Sequence, residues 1–189
     1  QELSAEAVRQ GKNVNVHIKV DTGMSRIGFA DTAESADIVK EISGLPNLET
    51  EGLFTHFARA DERDKTAANE QLTRYQAFAK LLEDRQVPIK YHHCSNSAGI
   101  YDMKDANMDI VRAGISIYGM YPSDEVNKMA APLAPVMSLK SHIVFIKELQ
   151  PGAAISYGGT YVADHEMKVA TIPVGYGDGY PRALSGKGR

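Results

Sequence analysis

A single cysteine, Cys94, stands among 189 residues. An internal disulfide is therefore excluded, and a reducing, cytoplasmic location is expected. No apolar run approaches the roughly 20 residues that a membrane-spanning helix needs, and no signal-peptide pattern opens the chain. Neither sign of charge dominates: 21 Lys and Arg against 24 Asp and Glu leave a net charge of −3. That balance lacks the electrostatic footprint of a binder of nucleic acid or anionic membranes. The chain has no P-loop, no G-x-G-x-x-G following a strand and no G-x-S-x-G elbow, so the nucleotide-binding and hydrolase chemistries that use them find no support. His92, His93 and Cys94 are adjacent. Neighbours on a strand face opposite ways, so these three cannot share one metal, and no metal site is expected. Internal repeats and low-complexity runs are also missing.

There is no initiator methionine. Residues 1–11 read as the last turns of a helix closed by Gly11, and the chain stops at Gly186-Lys187-Gly188-Arg189 just after a loop. The expectation is a fragment of a longer protein.

The remainder has an ordinary globular composition, 43% hydrophobic and 24% charged, enough to build a sizeable core. Residues 14–20 alternate and are rich in β-branched side chains, which predicts a strand. A glycine-containing loop, Asp21 to Phe29, follows. Asp31 and Glu34 have capping-box spacing for a helix carrying Ala36, Val39 and Ile42 and ending at Gly44. Residues 52–57 predict a second strand. Ala68, Leu72, Tyr75, Ala79 and Leu82 give one face of a helix over 66–84, stopped by Val87-Pro88. Further strands are expected at 89–94 and 108–111, with a short helix starting near Ser97. Strands alternating with helices imply βαβ units and a parallel sheet, and four of them in about 120 residues fit half of a (β/α)₈ barrel. The character changes near Pro132-Leu133-Ala134-Pro135. Beyond it the pattern is β only, with strands expected over 136–148 and 167–174. The predicted organisation is α/β: residues 1–132 form the C-terminal half of a (β/α)₈ barrel, and residues 133–189 begin an all-β domain.

Active sites of such barrels lie at the C-terminal ends of the strands. Those positions hold Asp21 to Arg26, His56, Ser95 to Ser97, and Arg112, Gly114 and Ile115. Ser97 with Gly114 and Ile115 suggests an anion site, since hydroxyls and free backbone amides bind phosphate. Taken singly, each has a plainer explanation: Ser97 as an N-cap, Gly114 as a turn, His56 as a satisfied core histidine.

Several motifs then coincide. Lys19-Val20-Asp21-Thr22-Gly23-Met24-Ser25-Arg26-Ile27-Gly28 resembles the K-x-D-T-G-M-x-R-x-G segment of alanine racemases. Thr55-His56-Phe57-Ala58 with Ala60-Asp61-Glu62 resembles their T-H-F-A-x-A-D-E. Asn96-Ser97-Ala98, Val111 to Ile115, Tyr118-Gly119, Ile155 to Tyr161 and Ile172 to Gly179 follow in the family's order. The resemblance implies a pyridoxal 5'-phosphate (PLP) barrel followed by a β domain, and an enzyme interconverting L- and D-alanine to supply D-alanine for peptidoglycan. It implies that Ser97, Gly114 and Ile115 hold the PLP phosphate, and that Arg112 donates to the pyridine nitrogen with His56 behind it. Arg26 would face the phenolic oxygen and the substrate carboxylate, oriented by Lys19 if that residue is carbamylated. Tyr157 would be one of two catalytic bases, acting in the partner subunit's site of a homodimer, and Tyr176 would line the way in. The family's A-V-x-K-A motif, whose lysine bonds PLP and is the other base, does not occur in this sequence. A serine or broad-specificity racemase shares the fold. A non-catalytic PLP-binding barrel protein also does, but lacks the β domain.

Overall fold

The computed structural model describes residues 1–187. The chain divides into two compact units, Gln1–Val136 and Met137–Arg189. In the first, helix α1 (Glu2–Gln10) ends at Gly11, whose left-handed backbone (φ 62) returns its N–H to the carbonyls of Ala7 and Val8. Strands β1 (Val14–Asp21), β2 (Phe29–Ala30), β3 (Leu48–Phe54) and β4 (Tyr91–His93) form one sheet in the order β2-β1-β3-β4. Every pairing is parallel. Helices α2 (Ala33–Ser43) and α3 (Thr66–Asp84) connect the strands, and a short helix α4 (Ser97–Asp102) follows β4. β1, β3 and β4 lie side by side in chain order with helical crossovers, as in an arc of a (β/α)₈ barrel. Ile18 to Val20 of β1 are buried consecutively, the mark of a parallel strand covered on both faces.

The core joins Val20 and Leu53 of the sheet to Val39 of α2 and to Tyr75, Phe78 and Leu82 of α3. The bounds of α3 coincide with the expected 66–84, but its buried face is Ala68, Gln71, Tyr75, Phe78 and Leu82. Leu72 and Ala79 are only half-buried. Both stripes share Ala68, Tyr75 and Leu82, because 3.6 residues per turn allows either set of intermediate positions. The sheet lies on the side of Phe78.

Four expectations need correction. The N-cap of α2 is Thr32, whose Oγ1 accepts the Ser35 N–H at 3.3 Å; Asp31 is instead gripped by both arms of Arg74 at 2.6 and 2.8 Å. The N-cap of α4 is Asn96, not Ser97. β3 begins at Leu48, ahead of the expected 52, its polar Glu49 and Glu51 having masked the pattern. Residues 108–111 are not a strand: Met108 takes a left-handed φ of 42, and the N–H groups of Asp109 and Ile110 both turn to the single carbonyl of His92. The segment follows the end of β4 without entering the ladder.

The second unit pairs β5 (Phe145–Leu149) with β8 (Met167–Thr171) and β6 (Ala154–Ile155) with β7 (Tyr161–Val162), both antiparallel. Its first strand begins at Phe145 rather than at the expected 136. No helix among the described residues is long and apolar enough to cross a membrane.

Candidate active site

The C-terminal ends of β1, β3 and β4 and the segment after residue 111 bring Arg112 to the centre of a polar cluster. Its backbone is anchored by an N–H donated to the carbonyl of Ser95 at 3.0 Å. Its guanidinium donates to three backbone carbonyls: Thr55 at 2.7 Å, Cys94 at 3.0 Å and His93 at 3.1 Å. It also lies over the Phe54 ring, 5.3 Å from the centroid. Two imidazoles flank it, His93 Nδ1 at 2.6 Å from Nη1 and His56 Nδ1 at 3.4 Å from Nη2. Guanidinium nitrogens only donate, so the facing Nδ1 of His93 is the bare, accepting nitrogen and that ring is neutral. Both terminal nitrogens are occupied by protein groups. The Nε–H has no protein acceptor among the described residues.

The loop after β1 is wound around Asp21, whose Oδ1 accepts the N–H groups of Gly23, Met24 and Ser25 at 3.1, 2.9 and 3.0 Å. Burial pushes the Asp21 carboxyl up, but these donors and Lys19 outweigh it and hold it below its usual range. Lys19 is buried and donates to the Ile27 carbonyl at 2.5 Å. Burial, helped by Arg26 and Arg112 and opposed by Asp21, lowers its pKa. Gly28 makes this turn possible: at φ 120 it passes so close to Lys19 that an added Cβ would sit 2.9 Å from the Lys19 carbonyl oxygen. Arg26 is exposed on the same loop.

A cavity of about 260 Å³ is lined by His56, Asn96, Ser97, Arg112, Gly114 and Ile115, among others. The Ser97 hydroxyl oxygen accepts the N–H groups of Gly114 at 2.9 Å and Ser116 at 3.4 Å, leaving its own proton to donate elsewhere. A larger hollow of about 530 Å³ lies between α3 and the His92–Asp109 region. It is lined by Tyr75, Gln76, Lys80, Glu83, His92 and Asp109 among others and contains none of the strand-end residues singled out by the sequence. Ser95 is fully buried with its Oγ against Gly99, away from the smaller cavity. Tyr157 and Tyr176 belong to the second unit. Tyr157 follows Ser156, held at φ 62, and its ring is 92% exposed. Tyr176 is stacked under the Arg182 guanidinium.

Sequence reasoning missed two contributors. His93 lies nearer to Arg112 than His56 does. Its signal was the His92-His93 pair at a strand end: the two rings diverge, His92 to the Tyr75 hydroxyl at 2.8 Å and His93 to Arg112. Gln71 is the other. It is buried on α3 and bonds the His56 carbonyl, the Ala58 N–H and the Thr22 hydroxyl at 3.2, 2.9 and 3.3 Å, so it sets the backbone that carries His56. A glutamine on an apolar helix face was the available signal.

Burial foremost, then Arg112, His17 and His92, push His93 down to about 4; burial and the same arginine lower His56. Unfolded histidine titrates near ~6.5. Between these values the unfolded chain holds a proton that the folded one rejects, so stability is complete above ~6.5 and declines as pH falls through the folded pKa. Denaturation midpoints should therefore drop on acidification from about pH 7.5 to about pH 5, and His93→Gln should flatten that dependence. A slope indifferent to the substitution would contradict the assignment.

Two family profiles match the chain in succession: "Alanine racemase, N-terminal domain" over residues 1–122 and "Alanine racemase, C-terminal domain" over residues 136–189. The alanine racemase of Clostridium perfringens is 48% identical over 189 residues, covering 100% of this chain and 49% of that protein. Among solved structures, the alanine racemase of Clostridium difficile 630 superposes with a TM-score of 0.84 at 43% identity, over 96% of this chain and 48% of that one. The alanine racemase of D-cycloserine-producing Streptomyces lavendulae gives 0.84 at 31% identity, over 99% of this chain and 50% of that one. The chain thus spans about half the length of the relatives it matches. With both domain profiles in order and the strand-end cluster built on the same motifs, the chain belongs to the alanine racemase family.

Proposed function

We propose that this chain is part of a cytoplasmic, homodimeric alanine racemase that uses PLP and supplies D-alanine for peptidoglycan. The observation that carries the reading is Arg112: a permanent cation locked by three carbonyls and His93, with one N–H left over, lining a cavity suited to an anion. The fit to PLP rests on that cavity. The Ser97 hydroxyl has a free proton to donate to a phosphate oxygen. Gly114 carries no side chain to crowd the opening, its nearest neighbour being Ser97 Oγ, 3.8 Å from where a Cβ would sit. Ser97, Gly114 and Ile115 are therefore the proposed phosphate cradle.

When bound, PLP supplies a conjugated ring that accepts electron density from the substrate Cα–H bond as it breaks. The chain's own residues do the rest. Arg112 directs its remaining N–H at the ring nitrogen. A guanidinium does not surrender its proton, so Arg112 would leave the ring nitrogen of a bound PLP unprotonated and would thereby restrain side reactions such as transamination. Arg26 binds the substrate carboxylate and the phenolic oxygen. The lowered pKa of Lys19 leaves more of its amine uncharged and open to carbamylation, and the carbamate would orient Arg26. Tyr157, on the exposed turn of the β unit, serves as a base in the partner subunit's site, and Tyr176 lines the approach. Burial and Arg112 lower the pKa of His56 and keep it neutral beside the guanidinium.

The direct test is to incubate the protein at its full natural length with PLP and L-alanine and to follow D-alanine with a D-amino-acid oxidase assay. Racemisation is expected, with serine turned over more slowly. A protein that binds PLP but leaves L-alanine unchanged would overturn the proposal.

A further inference from the structure

His93 does not end the polar chain that begins at Arg112. Its Nε2 lies 2.7 Å from His17 Nδ1, and His17 Nε2 faces the Glu51 carboxylate at 3.6 Å. The direction of every proton follows from the arginine. Arg112 only donates, so His93 Nδ1 is bare and the neutral ring carries its proton on Nε2. That proton is donated to His17, so His17 Nδ1 is also bare, and its own proton sits on Nε2, toward Glu51.

This contact spans an unusual distance within the sheet. His17 is on β1 and His93 on β4, with β3 between them. Adjacent strands are ~4.8 Å apart, so the two backbones are separated by nearly ~10 Å. Two local features of β3 allow the rings to meet. The residue paired with His17 is Gly52, and a Cβ there would overlap the His17 ring; the glycine is a gap through which the imidazole crosses the strand. One position earlier the ladder breaks register, so that Val16 pairs with Thr50 and His17 with Gly52, leaving Glu51 as the extra residue of a bulge. Bulges re-aim side chains, and this one turns Glu51 to His17. The His93 ring is further held flat against Phe54, with centroids 4.8 Å apart and an interplanar angle of 5°.

We infer that Glu51, His17 and Gly52 form an outer relay that holds His93 in a single neutral tautomer and thereby positions Arg112. His17 and Glu51 are positioning residues, since they act on the site only through His93. The significance for catalysis rests on the racemase reading; the relay itself rests on the geometry. The groups facing His93 are Arg112, His17 and its strand neighbour His92, with Glu51 behind His17. Without His17, the His93 Nε2–H loses its acceptor and the ring is free to tilt, to exchange its proton and to take the form that no longer accepts from Arg112.

Side-chain ¹⁵N NMR of selectively labelled histidine in the full-length protein reads the tautomers without any assay of turnover. Wild type should carry the proton on Nε2 and a bare Nδ1 in both His17 and His93, with a slowly exchanging His93 Nε2–H. His17→Phe fills the gap over Gly52 with a ring that cannot accept. It should make that proton exchange quickly and shift both His93 nitrogens. Gly52→Ala, which displaces the His17 ring, should do the same. In the PLP-loaded enzyme, His17→Phe should lower kcat by about tenfold at unchanged KM. A wild-type His93 protonated on Nδ1 would overturn the relay without any variant having to fold. So would a His93 signal unchanged in His17→Phe. If the spectra agree but kcat is unaffected, the positioning role is overturned. A protein that shows these spectra but racemises nothing would refute the proposed function and leave the relay standing.

Discussion

Arg112→Lys should reduce kcat for alanine racemisation by about 100-fold, a loss of ~2.7 kcal/mol of transition-state stabilisation, although the positive charge is kept. The guanidinium is held by the carbonyls of Thr55, His93 and Cys94 and by His93 Nδ1. A planar fork reaches these acceptors and still presents Nε–H outward. A single ammonium with three donors cannot do both. Arg112→Glu goes further. Its carboxyl would face four acceptors and no donor, so it should take up a proton and share it with the ring nitrogen of PLP. Racemisation should fall at least as far, and transamination, measured as pyruvate formed per alanine racemised, should rise. Near wild-type kcat in Arg112→Lys would mean that only charge matters at this position. An unchanged pyruvate ratio in Arg112→Glu would remove Arg112 from control of the electron sink.

Tyr157→Phe should strongly slow exchange for one enantiomer and spare it for the other. Two bases on opposite faces move a proton from one side of Cα to the other without turning the substrate, and the family resemblance assigns Tyr157 to L-alanine. Net racemisation must fall in both directions, because no catalyst alters the equilibrium between enantiomers. Proton abstraction from D-alanine depends on the other base and should survive. In deuterated water the variant should exchange the α-hydrogen of D-alanine without inversion. L-alanine should exchange at least ~100-fold more slowly than in wild type, in the range general-base catalysis contributes. The turn supports this role, since Ser156, directly before Tyr157, is held at φ 62, a backbone conformation of the kind that clusters at functional sites. Equal exchange of both enantiomers by the variant would take Tyr157 out of the mechanism.

Much of the first unit was legible because it depends on local rules. The 3.6-residue period and the stop at Val87-Pro88 mark α3 at both ends, and alternation of β-branched residues marks β1. That Arg112, Ser97, Gly114 and His56 come together was legible for a different reason: parallel strands deliver their C-terminal ends to one rim, so counting strands predicts which residues gather there. Legibility failed where a backbone irregularity intervened. Glu49 and Glu51 conceal the first half of β3, and the left-handed Met108 keeps residues 108–111 out of the ladder. His93 escaped notice because adjacency on a strand says only that His92 and His93 diverge, not which partners they meet.

The sequence by itself determined the family, the alternation of strands and helices, and the residue types gathered at the strand ends, because periodicity and ordered motifs are properties of the chain read in one dimension. Only the tertiary structure decided which donor faces which acceptor. Arg112 meets carbonyls from two separate stretches of chain, at Thr55 and at His93 to Ser95, and His17 reaches His93 across a strand because a glycine and a bulge coincide on β3. Such contacts depend on strand register and on distances of a few ångström between residues far apart in the chain, and hydrogen bonds lose their strength outside a narrow range of distance and angle.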